Sequence, residues 1–235
     1  GRRVTAIDIS FEMLRRAAAA NAQYIADLGS LVGIDSGSYD PEGVSRAADW
    51  VAARLAILGF EVERHSPEPD PLTGAPVYGD AVVGRRVGTG SGRIVLFAHL
   101  DTVFASGDAA LRPFSIDERG LAHGPGVTDD KAGVVASLHA AEHLIAEGSE
   151  RYRELVLVFT PDEEIGSPYG RTVLEAAVQG ADVALCLECA RENGDLVGSR
   201  KGVIDLEIEV LGLAAHSGIE PERGAHAGLE AAHLT

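Results

Sequence analysis

A histidine and an aspartate, His99 and Asp101, follow the apolar segment 93–98. Functional sites in open α/β sheets form at the carboxyl ends of strands. His99 is therefore placed to bind a metal through one ring nitrogen, while Asp101 can accept the N–H of the other. A buried structural histidine beside a capping aspartate explains the pair equally well. This pair alone leaves both interpretations open.

Further carboxylates lie at the ends of apolar segments or beside a glycine turn. They are Asp129 and Asp130 in GPGVTDDK, Glu163 and Glu164 in TPDEEIGS, and Glu188 in CLE. A helix cap, a solvated acidic loop and a surface glutamate are the ordinary explanations. However, acids gathered at strand ends repel one another unless a cation relieves them.

Such an oxygen-rich set with few histidines suits two divalent cations that share a site. Zinc accepts both imidazole nitrogen and carboxylate oxygen as ligands. One carboxylate must stay unligated to act as a general base, and the adjacent acids Glu163 and Glu164 offer one residue for each role.

Alternating helices and strands are predicted to position these residues. Helical spacing is found over residues 11–31, 42–58, 129–147 and 168–179, and strand patterns over 60–64, 79–87, 93–98, 154–160 and 182–187. The last three strands are unbroken apolar runs, which are typical of strands covered on both faces. This predicts a three-layer α/β domain over residues 1–200 with a mostly parallel sheet.

The pattern changes after Arg200, where a domain boundary is predicted. Residues 202–211 alternate apolar and charged side chains, as in a half-exposed strand, and a helix is expected to begin near Gly224. Residues 201–235 are predicted to start a second, α+β domain.

Composition excludes several classes of protein. A net charge of −16 argues against nucleic acid or an anionic membrane as a partner, because both require a positive surface. No apolar run approaches the roughly 18 residues of a membrane span. Two cysteines provide no disulfide framework. The cytoplasm is the simplest compartment, with the periplasm or secretion open if a signal was removed.

The motifs resemble those of a family of two-zinc metallopeptidases and amidohydrolases. The family includes glutamate carboxypeptidase, acetylornithine deacetylase, succinyl-diaminopimelate desuccinylase and aminoacylase. The matching segments are FAHLDTV, GPGVTDDKAG, TPDEEIGS, CLE and GLAAHSGIEPERGAHA. They cover most of the chain from about Ile94 onward, in the family's order, and GPGVTDDK and TPDEEIGS are most similar to the glutamate carboxypeptidase branch.

The resemblance implies two Zn²⁺ ions, with Co²⁺ or Mn²⁺ as substitutes, and a role for each motif residue. His99 and Glu188 would bind one ion, Glu164 would bind the other, and Asp129 would bridge both. Asp101 would orient His99, and Glu163 would be the general base. Glu163 would take a proton from the attacking water and pass it to the leaving nitrogen. The Asp129–Asp130 peptide is expected to be cis.

The resemblance also assigns His216 to a lid domain, where it would stabilise the oxyanion in the active site of a partner subunit. That role requires a homodimer. Family members take a further zinc ligand, a histidine, from nearer their C-terminus, and their substrate-carboxylate ligands also lie further along. His226 and His233 fit a lid helix instead. We therefore expect this chain to be part of a longer protein.

The implied reaction is hydrolysis of an amide bond in a small N-acyl amino acid or short peptide, of the glutamate carboxypeptidase type. An N-acyl amino-acid deacylase is the alternative within the class, and a non-catalytic dimerising homologue is the alternative outside it. A thiol-redox protein that uses Cys186 and Cys189 is a further alternative.

Two smaller motifs have structural explanations. His139-Ala-Ala-Glu142-His143 fits the H-x-x-E-H zinc pattern, but His139 lies about 15 Å along the helix from Asp129 at 1.5 Å per residue, so it cannot join that site. The C-x-x-C pair Cys186 and Cys189 has no second pair, and packing explains it better.

Overall fold

The computed structural model describes residues 11–190, 193, 195, 197–199, 201–202 and 206–234, with side chains from residue 15 onward. Two compact units divide after Ala190. The division lies before the predicted boundary near Arg200. The first unit carries the sheet, and each unit is described by itself.

The helices and strands of the described residues follow in chain order. The helices are α1 (Phe11–Val32), α2 (Pro41–Ile57), α3 (Asp108–Leu111), α4 (Ala132–Ala146), α5 (Gly170–Val178) and α6 (Ala227–Leu234). The strands are β1 (Glu61–His65), β2 (Ala81–Val87), β3 (Arg93–His99), β4 (Ser115–Ile116), β5 (Ala122–His123), β6 (Glu154–Thr160) and β7 (Val183–Cys186).

The main sheet has the order β1-β2-β6-β3-β7, and β4 pairs with β5 in a small separate ribbon. β3 is parallel to both β6 and β7, whereas β2 is antiparallel to both β1 and β6. The α/β class is confirmed, but the sheet is mixed rather than mostly parallel. The reason is connectivity: α4 and α5 lie in the crossovers between parallel strands, while residues 66–80 join β1 to β2 without a helix.

Helices cover both faces of the sheet, as predicted for three layers. Along β6, Leu155, Leu157 and Phe159 pack in the core with α1, α2 and α4, and Val156 and Val158 pack in the core with α5. Alternate residues of a strand point to opposite faces. An unbroken apolar sequence is therefore the expected pattern for this strand.

The prediction of a third buried strand was wrong for β7. Val183 and Leu185 are 46% and 49% exposed. Among the described residues, β7 pairs only with β3 and lies at the edge of the sheet, so its other side has no neighbouring strand within this part of the chain.

Helix α4 begins at Ala132, not at Asp129 as predicted. The preceding Val127–Lys131 forms an irregular turn, in which Asp129 (φ −119°, ψ 94°) and Asp130 (φ −126°, ψ 25°) lie outside the helical region. Both acids are therefore held by the turn and not by a helix.

In the second unit, α6 confirms the helix expected near Gly224. Residues 206–211 form no strand, contrary to the prediction, and residues 203–205 of that segment lie outside the described part of the chain. A strand requires a partner, and the only pairing described in this unit is a single bridge between Leu213 and Ala225. Among the described residues, no helix is long and apolar enough to cross a membrane.

Candidate metal centre

Three parallel strands bring their carboxyl ends together at one edge of the sheet. His99 is the last residue of β3 and lies in register with Thr160, the last residue of β6. Phe97 is in register with Cys186, the last residue of β7. The residues after β6 and β7 therefore emerge beside His99, which is buried at 2% exposure.

Three predicted site residues approach the Nε2 atom of a fourth, His99. It lies 3.0 Å from Asp129 Oδ1, 3.4 Å from Glu188 Oε1 and 4.0 Å from Glu163 Oε2. The three carboxylates come from the irregular turn before α4, the segment after β7 and the short helical turn after β6. Residues far apart in the sequence thus surround one imidazole nitrogen.

Asp101 contacts the other ring nitrogen of His99, Nδ1. His99 Nδ1 lies 3.0 Å from the backbone oxygen of Asp101 and 3.2 Å from its Oδ1. The carboxylate also accepts the backbone N–H groups of Glu163 (2.9 Å) and Glu164 (3.1 Å) and the hydroxyl of Ser38 (2.7 Å). This fully buried aspartate therefore positions the histidine and both glutamates.

The donors form two groups in which one ligand atom of each residue lies within 4.8 Å of the others. One group contains His99, Asp129 and Glu164, and the second contains His99, Asp130 and Glu188. The motif pattern predicts no role for Asp130. It is fully buried, its Oδ2 accepts the backbone N–H of His99 at 3.2 Å, and its Oδ1 has no hydrogen-bond partner.

The electrostatics favour positive charge at this position. Burial alone would lower the pKa of His99, but hydrogen bonds to Asp101 and Glu188, with further nearby carboxylates, outweigh it and raise that pKa to about 12. Burial raises the pKa of Asp130 to about 8, and the charges of Glu188 and Asp129 add to the effect. Burial and neighbouring carboxylates also raise the pKa values of Glu163 and Glu164.

This donor set fits divalent zinc. Zinc binds imidazole nitrogen and carboxylate oxygen, and both are present in each group of three. The buried Asp130 Oδ1 without a partner is also a carboxylate oxygen that a cation would satisfy. The Asp129–Asp130 peptide is cis, as the motif resemblance implied.

Comparison with known proteins identifies the family. A model described as peptidase family M20/M25/M40 matches residues 95–227, more than half of the 235-residue chain. The chain belongs to this family. The matched region contains every predicted site residue.

Curated relatives of this M20-family chain include both peptidases and deacylases. Carboxypeptidase G2 of Pseudomonas sp. (strain RS-16) is 33% identical over 89% of the chain and 49% of its own length. Acetylornithine deacetylase of Myxococcus xanthus is 34% identical over 86% of the chain and 50% of its own length. The chain thus spans about half the length of these relatives.

Solved structures support the fold. A tripeptidase from Staphylococcus aureus superposes with a TM-score of 0.61 at 18% identity, covering 90% of this chain and 55% of its own. The dipeptidase Dug1p from Saccharomyces cerevisiae gives 0.60 at 21% identity, covering 73% and 39%.

Among the described residues, neither donor group of the M20-family chain contains the remaining candidate histidines and cysteines. His216 belongs to the second unit, where it is exposed and its Nδ1 accepts the backbone N–H of Gly218 at 3.1 Å. The Nδ1 of His226 accepts the N–H of Leu229 in α6. Cys186 and Cys189 are both free and exposed.

His139 packs between helices and contacts Asp27 and Tyr24, so it has a structural role and does not belong to a metal site. Its Nε2 lies 2.8 Å from Asp27 Oδ2, and its ring meets Tyr24 edge-on at 5.6 Å. Among the described residues, both potential metal-binding groups contain His99 and neither contains His139.

Two residues at the centre are not predicted by the sequence pattern. Asp130 was visible in the motif, but only the three-dimensional structure shows that its carboxylate turns inward beside His99. Ser38 comes from a loop 63 positions before Asp101, and no pattern in the sequence links the two.

Proposed function

We propose that this chain is the metal-binding part of a zinc-dependent hydrolase that cleaves an amide bond in a small N-acyl amino acid or short peptide. The observation that carries the proposal is the convergence of Asp129, Glu163 and Glu188 on the Nε2 atom of His99. The peptidase and deacylase names of the relatives support the same class of reaction.

In the proposed site, His99, Asp129, Glu164 and Glu188 hold two zinc ions, which Co²⁺ or Mn²⁺ could replace. Asp130 is an additional candidate donor. When bound, the metal supplies a Lewis acid for the amide carbonyl and lowers the pKa of water.

Glu163 is the proposed general base. It takes a proton from the attacking water and delivers it to the leaving nitrogen, so that the amide nitrogen departs as an amine. Its side chain is half exposed, and its backbone N–H is fixed by Asp101. Asp101 acts through its neighbours, because it orients His99 and the backbone of both glutamates.

Two subclasses fit this site. The similarity of GPGVTDDK and TPDEEIGS to the glutamate carboxypeptidase branch favours a carboxypeptidase, whereas the 34% identity to an acetylornithine deacetylase supports removal of an acyl group from an amino acid. A non-catalytic homologue is disfavoured because Glu163, which only catalysis requires, is present.

We also propose a homodimer in which His216 stabilises the oxyanion in the partner's active site. The support is the motif around His216 and its exposed position in the second unit. Loss of turnover in His216→Ala with zinc retained, restored in mixtures with a base-deficient variant, would support this role. Absence of restoration would contradict it.

The Glu163→Gln variant tests the main proposal in the full-length protein. We expect two zinc ions per chain by elemental analysis and a loss of amide hydrolysis of about 100-fold or more, because a general base contributes about 10²–10⁴-fold. Glu175→Gln, at an exposed position in α5, is the matched control and should keep full activity.

Two results would contradict the proposal. One is a zinc content near zero after reconstitution. The other is undiminished turnover in Glu163→Gln, which would reject Glu163 as the base while leaving the metal assignment intact.

A further inference from the structure

Lys131 is a buried cation next to the proposed metal ligands, and the proposed reaction assigns it no role. It follows Asp129 by two residues, and its side chain is 1% exposed. A lysine is almost never buried so completely unless its charge has a partner. Because the side chain is almost fully enclosed within this chain, residues of this chain supply its surroundings. Its role must therefore come from its contacts within the fold.

The ammonium group contacts a distant part of the sequence, residues 34–38, here named the 34–38 segment. Lys131 Nζ donates to Ile34 O at 2.6 Å, and the carboxylate of Asp35 adds an attractive charge. Asp35 itself accepts two backbone N–H groups of residues 107–109, at 2.8 and 2.9 Å. The beginning of the segment is thus held by Lys131 on one side and by residues 107–109 on the other.

The end of the 34–38 segment contacts Asp101. The hydroxyl of Ser38 donates to Asp101 Oδ2 at 2.7 Å. Between the two ends, the backbone N–H of Thr102 donates to Ser36 O at 2.9 Å. This short segment therefore connects the buried ammonium to the aspartate that orients the histidine of the centre.

Lys131 is also the last residue of the turn that carries Asp129. Its backbone N–H donates to Gly126 O at 3.1 Å, and a Cβ on Gly126 would lie 3.5 Å from Lys131 Cε, so the lysine stem packs beside this glycine. The turn Val127–Lys131 is irregular. The side chain of Asp129 is 57% exposed, so packing contributes little to its placement. Its position beside His99 depends on how the backbone of the turn is held.

We propose that Lys131 is a positioning residue, which ties the turn of Asp129 to the 34–38 segment and thereby sets the distance between Asp129 and His99. The inference rests on the proposed zinc-dependent function. Because the amine is buried against Ile34 O, it does not touch a substrate and acts only through the placement of the metal ligands. An apolar side chain of the same length would fill the space but could not donate to Ile34 O.

The Lys131→Met variant of the full-length protein removes the charge and the donor while it keeps a long, unbranched side chain. We expect its zinc Kd, measured by competition with a chelator, to rise about 10- to 100-fold, as for other residues that support metal ligands. With saturating zinc, kcat should fall while KM changes little, since Lys131 does not contact the substrate. Lys201→Met, at an exposed lysine of the second unit, is the matched control and should behave as the unmodified protein.

Two measurements distinguish positioning from a general loss of stability. The visible absorption bands of bound Co²⁺ report the geometry of its ligands, so at saturating Co²⁺ they should shift in Lys131→Met and not in Lys201→Met. When Lys131→Met is combined with Ser38→Ala, the zinc Kd should rise by less than the product of the two single effects. Residues that act through one network are not additive, and both of these act through the 34–38 segment.

Asp35→Asn decides the question if Lys131→Met does not fold. It leaves the lysine in place and removes the charge that attracts it, and we expect the zinc Kd to rise about tenfold. Asn can still accept one backbone N–H of residues 107–109, so the fold should be kept. An unchanged zinc Kd in folded Asp35→Asn would count against the link between Lys131 and the segment.

The outcomes separate this inference from the proposed function. A folded Lys131→Met with the zinc Kd and Co²⁺ bands of the unmodified protein would overturn the positioning role while zinc-dependent hydrolysis stands. Independent effects of Lys131→Met and Ser38→Ala would overturn it as well. If the unmodified full-length protein neither binds zinc nor hydrolyses an amide, the proposed function itself is overturned, and the positioning role with it.

Discussion

At the scale of residues, Asp101 determines how the centre is arranged. One carboxylate accepts hydrogen bonds from two backbone N–H groups and one hydroxyl while it faces the His99 ring. These contacts explain why the pKa of Asp101 is lowered: burial opposes ionisation, but the bonds to His99 and Ser38 together outweigh it. Asp101 therefore stays charged in the interior.

Ser38→Ala should weaken the centre without unfolding the protein. Loss of the 2.7 Å hydroxyl contact removes one of the two hydrogen bonds to Asp101 Oδ2, which also accepts the backbone N–H of Glu164, and loosens the hold of Asp101 on His99 and Glu164. Mutation of a residue that hydrogen-bonds to the groups around a metal site changes metal affinity or activity by about 10- to 100-fold. Zinc titration and kcat/KM measure the effect, Ser38→Thr should restore part of it, and Ser30→Ala on the exposed face of α1 should have none. Equal zinc affinity and activity in Ser38→Ala would reject the positioning role.

At the scale of elements, the sequence predicts the positions of helices and strands, because these depend on the local spacing of apolar residues. The bounds of α1, α2, β3 and β6 agree with prediction within a residue or two, because apolar spacing fixes which faces are buried. The sheet's mixed pairing, the exposure of β7 and the inward turn of Asp130 depend on contacts between distant segments. No local pattern records those contacts, so these features were mispredicted or missed.

A buried charge cluster joins three helices of the first unit. Asp27 on α1 accepts from Arg54 on α2 at 2.7 Å and lies 2.8 Å from His139 on α4. The side chains of Asp27 and His139 are 10% and 8% exposed. Removing the one acid leaves a cation and an imidazole without their shared partner, which is costly in a poorly hydrated site.

Asp27→Asn should therefore lower the free energy of unfolding by about 3 kcal/mol or more, as is found when one member of a buried pair is removed. The matched control is Glu147→Gln, because Glu147 pairs with an arginine, Arg16, that is 43% exposed. Such surface pairs contribute about 0–1 kcal/mol. Urea unfolding measures both, and equal midpoints for the two variants would show that the cluster adds no stability.

At the scale of the whole molecule, acidic residues exceed basic ones by 36 to 20. Self-repulsion among like charges destabilises a compact state. Around His99, carboxylates from three separate segments add a local concentration of negative charge. A bound cation would relieve that repulsion only in the folded protein, because the unfolded chain does not bring these segments together. Folding and metal binding are therefore expected to be coupled.

Removing the metal should lower the thermal midpoint of the full-length protein. A ligand at 100 times its Kd stabilises the folded state by about 2.7 kcal/mol. At about 2–4 °C per kcal/mol for a chain of this size, chelation should lower the midpoint by about 5–10 °C, and zinc should restore it. Asp129→Ala, at a side chain that is 57% exposed, should keep the fold but lose most of the zinc-dependent increase, whereas Glu175→Ala should retain it. The same zinc-dependent increase in both variants would mean that zinc stabilises the protein at some other position.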